Sequence, residues 1–234
     1  MKKQNKKEII KVKSILNPDK NIKGPKTHME VKYPGIAEIV PTIHLSEKID
    51  FIYNSNMIEG IEINKIEYGK WDKSDYPEIN GHAKAFDYMI KHYKEKLTEK
   101  HILKMHGLLT KELLIEKYAG KYRDCNVYVG NHMGTLPISI KPEMNELIEF
   151  VDKCKTEEDT WSAHNRAETI HPFVDGNGRT GRLILNWLRL KSELPLLIIN
   201  HEERWEYYEK IRQYQIDQQI LEYWVKENNG TPKK

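Results

Sequence analysis

Cysteine is scarce. Cys125 and Cys154 are the only two in 234 residues, too few for a disulfide framework, and nothing around them has metal-ligand spacing. A reducing, cytoplasmic setting is the simpler expectation. Long apolar runs are missing too: the longest, from Leu194 to Ile199, is broken by Pro195 and falls far short of the ~20 residues of a membrane helix. The opening MKKQNKKEIIKVK is basic but lacks the apolar stretch of a signal peptide. Neither sign of charge dominates. Thirty-eight basic residues against 35 acidic ones leave +3, and no basic stripe or recognition helix stands out, so neither a membrane nor a nucleic acid is expected as partner. With 38% hydrophobic and 31% charged residues, the chain reads as a soluble domain with an appended segment.

Residues 1 to about 40 are rich in Lys and carry breakers at Pro18, Gly24, Pro25, Pro34 and Gly35, the pattern of an extended arm. From Ser46, a candidate cap, Ile49, Ile52, Tyr53 and Met57 fall at helical spacing, and Gly60 is a natural stop. Residues 77–93 predict a second helix with Ile79, Ala83, Phe86 and Ile90 on one face. Thr98 opens a third, striped by Ile102, Met105, Leu108 and Leu109. Between 122 and 138 the character changes. Val127, Tyr128 and Val129 favour strand, Gly130-Asn131 is a turn signal, and Thr135-Leu136 fits a short return strand before Pro137. Helical spacing returns over 141–153 and 158–170. Residues 178–190 are apolar on nearly all sides, which predicts a central buried helix, and a charged amphipathic segment follows over 201–226.

The informative stretch runs His171-Pro-Phe-Val-Asp-Gly-Asn-Gly-Arg-Thr-Gly-Arg182. Pro172 disfavours helix at His171, so the preceding helix ends there. Gly176 and Gly178 permit a tight turn and a close backbone approach. The run Gly176-Asn177-Gly178 opens the apolar helix, where free amides and the helix dipole attract anions. Arg179 and Arg182 lie one turn in and share a face, two forked donors suited to phosphate oxygens. Asp175 beside a phosphate chain occupies the position of a Mg²⁺ ligand, although alone it would be an ordinary helix cap. His171 has an imidazole able to accept a proton at neutral pH. Base, metal ligand, amide cradle and arginine clamp together are the parts of phosphoryl-type transfer.

This stretch resembles the signature of the Fic (filamentation induced by cAMP) family, His-x-Phe-x-Asp/Glu-Gly-Asn-Gly-Arg-x-x-Arg, at every defined position. Glu78-Ile79-Asn80 with Ala85, the Lys121-Tyr122-Arg123 lead-in and the hairpin at 127–136 extend the likeness over about residues 45–210. The resemblance implies an all-α fold: a helical bundle with a short β-hairpin flap over the active site. It implies a protein adenylyltransferase that moves AMP from ATP to a protein Tyr, Ser or Thr hydroxyl, with Mg²⁺ or Mn²⁺; whether its own chain is a target stays open. By similarity His171 is the base and Phe173 anchors the loop in the core. Asp175 holds the metal, and Gly176, Asn177 and Gly178 form the anion hole, with Asn177 on the α-phosphate. Arg179 and Arg182 hold the β- and γ-phosphates. Tyr207 or Tyr208 contacts adenine. The flap, Val127, Tyr128, Val129, Gly130, Thr135 and Leu136, registers the target backbone.

A second stretch, Ser55-Asn56-Met57-Ile58-Glu59-Gly60, resembles the family's inhibitory Ser/Thr-x-x-x-Glu-Gly/Asn motif, N-terminal to the core. It implies that Glu59 pairs with Arg182 and displaces the γ-phosphate. The resulting division is an N-terminal arm (1–42), an inhibitory helix segment (43–66), a catalytic core (75–206) and a C-terminal helical extension (207–234). Homo-oligomerisation, common among family members, stays open. So does removal of AMP, in which Glu59 would position a water. The kinase chemistry of Doc relatives is disfavoured because they carry Lys at the position of Gly178, and both arginines argue against a phosphocholine donor.

Overall fold

The computed structural model describes residues 43–69, 75–129 and 132–227. The Lys-rich arm and Gly130 lie outside the described residues. What is described is mostly helical: α1 (Leu45–Ile58), α2 (Lys65–Tyr68), α3 (Pro77–His92), α4 (Glu99–Thr110), α5 (Pro137–Val151), α6 (Glu157–Ile170), α7 (Asn177–Lys191) and α8 (Arg204–Glu227). Between α4 and α5, β1 (Tyr128–Val129) pairs antiparallel with β2 (His132–Met133).

Helix α7 is the axis of the bundle. Every residue from Asn177 to Leu190 is buried, as its all-round apolar character requires. Helices α1, α3, α4 and α6 pack around it. Leu183 and Trp187 are fully buried among Ile79, Phe86, Met105 and Ala163 of one continuous core. Helix α3 presents Ile79, Ala83, Phe86 and Ile90 inward, the expected face. Helix α6 starts at a reciprocal cap: the Asp159 N–H donates to Thr156 Oγ1 (3.1 Å) and the Thr156 N–H to Asp159 Oδ2 (2.9 Å).

Three expectations shift. The cap of α1 is His44 rather than Ser46, because the Glu47 carboxylate reaches back to accept the His44 N–H (2.8 Å). Its buried face carries polar residues, Lys48, Ser55 and Asn56, among Phe51, Ile52 and Ile58. Lys48 is satisfied by both oxygens of Asp87 on α3 (2.7 and 2.8 Å). Helix α5 begins at Pro137 rather than 141, using proline at the position whose N–H would have no acceptor anyway. The return strand is His132–Met133 rather than Thr135-Leu136, since the Thr135 N–H is taken by the Ile170 carbonyl (3.2 Å) outside the ladder.

Removing the fully buried Leu183 side chain leaves a void in the continuous core around α7. Leu183→Ala should lower unfolding stability by about 2–5 kcal/mol, read by urea denaturation. A loss under about 1 kcal/mol would contradict the central place of α7.

Candidate active site

Helix α6 ends at Ile170, and His171 adopts φ 51°, ψ 60°, a left-handed conformation that costs a non-glycine residue about 1–2 kcal/mol. The chain then runs Pro172-Phe173 into the core. The Phe173 ring stacks face to face on His106 (centroids 3.7 Å, 5°). Its main-chain N–H donates to Asn177 Oδ1 (2.8 Å), and Asn177 Nδ2 donates back to its carbonyl (2.9 Å). Both ends of the Asn177 side chain are thus spent on bracing the loop. Its main-chain N–H and the second N–H of Nδ2 are what it can offer a phosphate.

His106 is a residue the sequence reading passed over. The Gly120 N–H donates to its Nδ1 (2.9 Å), so its proton sits on Nε2 and is given to the Asp175 carbonyl (3.0 Å). This pins the loop from α4. Gly176 follows at φ 77°, where a Cβ would come to 3.1 Å of Thr110 Cγ2, and α7 opens with the amides of its first turn unmatched by any carbonyl of the helix.

Around that turn the two arginines are buried rather than splayed into solvent. Arg179, 3% exposed, donates from Nη2 to Asp175 Oδ2 (3.3 Å); its Nε and Nη1 meet no acceptor among the described residues. Arg182, 2% exposed, is fully engaged. Its Nε donates to Ser55 Oγ (2.8 Å), its Nη2 to the Ser55 carbonyl (2.8 Å) and to Glu59 Oε1 (2.6 Å), and its Nη1 to the Tyr207 hydroxyl (3.3 Å). Glu59 caps the C-terminus of α1, with Gly60 turning the chain away at φ 77°. A Cβ on Gly178 would fall 2.2 Å from Glu59 Oε1, so the carboxylate lies directly on the amide cradle. Glycine at 178 is what lets it in.

Tyr207 is buried, and its hydroxyl is shared between Arg182 and His164 Nε2 (2.8 Å). Tyr208 keeps 36% exposure and donates to the Ile58 carbonyl (2.8 Å), so of the two tyrosines it alone has a ring face with surface to offer a base. Tyr128 and Leu136 are exposed, Val127 is half-buried, and Thr135 donates its hydroxyl to Glu143 (2.7 Å). The Asp175 side chain is 57% exposed. Among the described residues no group of three or more His, Cys, Asp or Glu could hold a metal. A cation here would rest on Asp175 and a ligand's own oxygens, the habit of Mg²⁺ at phosphates.

Burial controls the protonation of the site. It lowers His171 to about 4, helped by the Arg123 charge and opposed by Glu59 and Asp175. It lowers His106 to about 4, His164 to about 3, and His82 well below the ordinary range. Glu168, on α6 three residues before His171, is pushed up to about 8 by burial; Arg182 pulls it down and Glu59 pushes it up. Its Oε1 occupies the space that a Cβ on Gly181 would fill (2.1 Å) and meets no hydrogen-bond donor among the described residues. The sequence did hold a signal for it: a glycine inside a fully buried helix marks a close neighbour.

Residues 96–188 match the family model described as Fic/DOC family. A curated protein adenylyltransferase Fic from Nematostella vectensis is 30% identical over 182 residues, covering 69% of this chain and 42% of that protein. The protein adenylyltransferase fic-1 of Caenorhabditis elegans is 35% identical over 95 residues, 38% of this chain and 19% of that protein. The chain spans less than half the length of these curated relatives. A Fic domain containing signaling protein from Bacteroides thetaiotaomicron, known from its crystal structure, shares the fold at TM-score 0.65 and 23% identity, over 72% of each chain.

Three buried histidines, His82, His106 and His164, and the half-buried His171 are held neutral and make the fold sensitive to mild acid. The unfolded chain takes up protons below its ordinary histidine value near 6.5, while in the folded chain His106 and His171 do not until about 4 and His164 until about 3, and His82 is lowered in the same direction. Stability from these groups is therefore complete above pH 6.5 and is lost as pH falls towards 4; Glu168 works the other way, one group against four. The thermal midpoint should drop steeply between pH 6.5 and 4, and a flat profile would contradict the neutral, buried assignment.

Proposed function

We infer that the chain, whose residues 96–188 form a Fic/DOC-family domain, is a protein adenylyltransferase held inactive by its own Glu59. ATP lies with its phosphates over the first turn of α7. The amides of Gly176, Asn177 and Gly178 and the donors of Arg179 and Arg182 neutralise the chain as charge develops. Asp175 holds Mg²⁺ (or Mn²⁺), which supplies further neutralisation of the phosphates when bound. The acceptor hydroxyl of a protein attacks the α-phosphorus while neutral His171 takes its proton. The new O–P bond forms as the bond to the β-phosphate oxygen breaks, and diphosphate leaves. The hairpin at 127–136 docks the acceptor backbone as an added strand, with Tyr128 and Leu136 exposed beside it. Two free thiols suit a reducing compartment, and the cytoplasm belongs to this reading. No helix among the described residues is long and apolar enough to cross a membrane.

One observation carries the inhibitory part. The Glu59 carboxylate sits at 2.6 Å from Arg182 Nη2 and against Gly178, where a phosphate of a productively bound nucleotide would need the same donors. The family match begins at residue 96, so it includes Arg182 but not Glu59, which caps α1 ahead of the matched span.

Removal of AMP is the second reading, favoured by the same carboxylate lying at the cradle, where it could orient a water towards a phosphorus. Incubating an AMP-modified target with wild type and with Glu59→Gly separates the two, since only the hydrolytic reading needs Glu59 for loss of AMP.

Freeing one charge-assisted contact of about 1.5–3 kcal/mol predicts that Glu59→Gly raises AMP transfer roughly 10- to 150-fold. His171→Ala in that background should abolish it. The readout is protein labelling from ATP labelled at the α-phosphate, with mass spectrometry for the gain of one AMP. Unchanged labelling in Glu59→Gly would end the autoinhibition reading.

A further inference from the structure

Arg123 precedes the hairpin, far from the signature stretch, yet it is 3% exposed and its guanidinium reaches both the hairpin and the loop bearing His171. Its Nη1 donates to the Cys125 carbonyl (2.7 Å) and its Nη2 to the Thr135 carbonyl (2.5 Å), one on each side of the β1–β2 pair. Its Nε donates to the His171 carbonyl (2.8 Å), and Nη2 also lies 3.4 Å from the Ile170 carbonyl. Its main-chain N–H donates to the Pro172 carbonyl (3.0 Å). All four side-chain acceptors are main-chain carbonyls, so this guanidinium reads the course of the backbone. A planar fork with five donors can bind carbonyls in several directions at once; a lysine ammonium on a flexible stem cannot hold the same set.

Two neighbours tighten the junction. The Thr135 N–H donates to the Ile170 carbonyl (3.2 Å), and the Gly134 N–H to Val127 (3.1 Å). A Cβ on Gly134 would come to 2.9 Å of Arg123 Nη2 and 3.2 Å of His171 Cβ, so the exit of the hairpin lies against the base itself. His171 is left-handed at φ 51°, and such a backbone persists only where its surroundings over-determine it. The bond from Arg123 Nε to its carbonyl is one of those constraints.

We propose that Arg123 is a positioning residue that fixes the acceptor-docking hairpin against His171, so that one side chain sets the reach from acceptor hydroxyl to base. This rests on the adenylyltransferase reading for its consequence, while the strap itself is a property of the fold. Arg123 contributes nothing directly to nucleotide binding, since its donors are spent on the backbone. Loss of the strap should therefore slow transfer and leave the nucleotide held.

The test uses the full chain with Glu59→Gly as parent, and adds Arg123→Lys or, separately, Gly134→Ala. The second variant keeps Arg123 and pushes the same junction apart from the hairpin side. Amide hydrogen exchange at Thr135 should quicken at least ~10-fold in both variants, with the amides of Leu183 to Leu188 unchanged. Affinity for α,β-methylene-ATP, which cannot give up AMP, should stay within about twofold, while the turnover of AMP transfer falls about 30- to 100-fold. Unchanged exchange at Thr135 in both variants overturns the strap. Transfer kept within about threefold, or nucleotide affinity and transfer falling by the same factor, overturns the positioning role. Should the Glu59→Gly parent transfer no AMP, the adenylyltransferase reading fails by itself, and hydrogen exchange still decides the strap.

Discussion

A guanidinium taken almost wholly out of water must have its charge answered and its N–H groups met, or the fold loses several kcal/mol. Arg182 is that group here. It stands on the second turn of α7, and its acceptors come from α1, its cap and α8: the hydroxyl and carbonyl of Ser55, the carboxylate of Glu59 and the hydroxyl of Tyr207. The C-terminal end of α1 is thereby fixed on the face where the amide cradle opens. The same side chain that completes the electrostatics of the fold is, on the adenylyltransferase reading proposed above, the one a triphosphate would claim, and on that reading nucleotide entry and the docking of α1 are competing answers to one buried charge.

Much of this was legible from the order of residues. The all-round apolar run from Leu183 to Leu190 could only be a buried axis, and Pro172 with Gly176 announced the end of α6 and the turn into α7. The juxtaposition of Glu59 with Arg182, 123 positions apart, was readable only through resemblance, because no periodicity connects two such distant residues. The polar residues on the inner face of α1 were not legible. Lys48, Ser55 and Asn56 break the apolar pattern, and their burial depends on partners contributed by α3 and α7, which local sequence does not name. For the same reason Tyr207 and Tyr208 could not be told apart by spacing. One faces His164 and Arg182 in the interior, and the other stays at the surface beside Ile58.

The supports of the loop were hardest to see because they act through the main chain. His106 gives its proton to the carbonyl of Asp175, Asn177 ties both ends of its amide to Phe173, and Arg123 addresses carbonyls alone. Backbone groups carry no residue identity, so a sequence pattern cannot announce which of them a side chain will meet. Glycines give an indirect trace. Gly178, Gly181 and Gly134 each lack a Cβ where Glu59, Glu168 and Arg123 with His171 respectively come in, so the three close approaches around the base and cradle are written as absences of side chain.

How the contact between Glu59 and Arg182 could yield follows from where α1 is anchored. Lys48 is clamped by Asp87 near its start, Asn54 Oδ1 accepts from the His201 N–H (3.1 Å) on its outer side, and the Ile58 carbonyl accepts from Tyr208 at its end. Those bonds leave the helix barrel in place whichever way Glu59 points. Glu59 itself is the last capping residue, 30% exposed on its side chain, and the next residue is a glycine with nothing within 4 Å of its would-be Cβ. Release therefore asks for no more than a rotation of the Glu59 side chain, while Ser55 continues to hold Nε and Nη2 of Arg182. The guanidinium would then keep its position and lose only its counter-charge, which is the arrangement in which an incoming phosphate finds a pre-oriented donor rather than a mobile one.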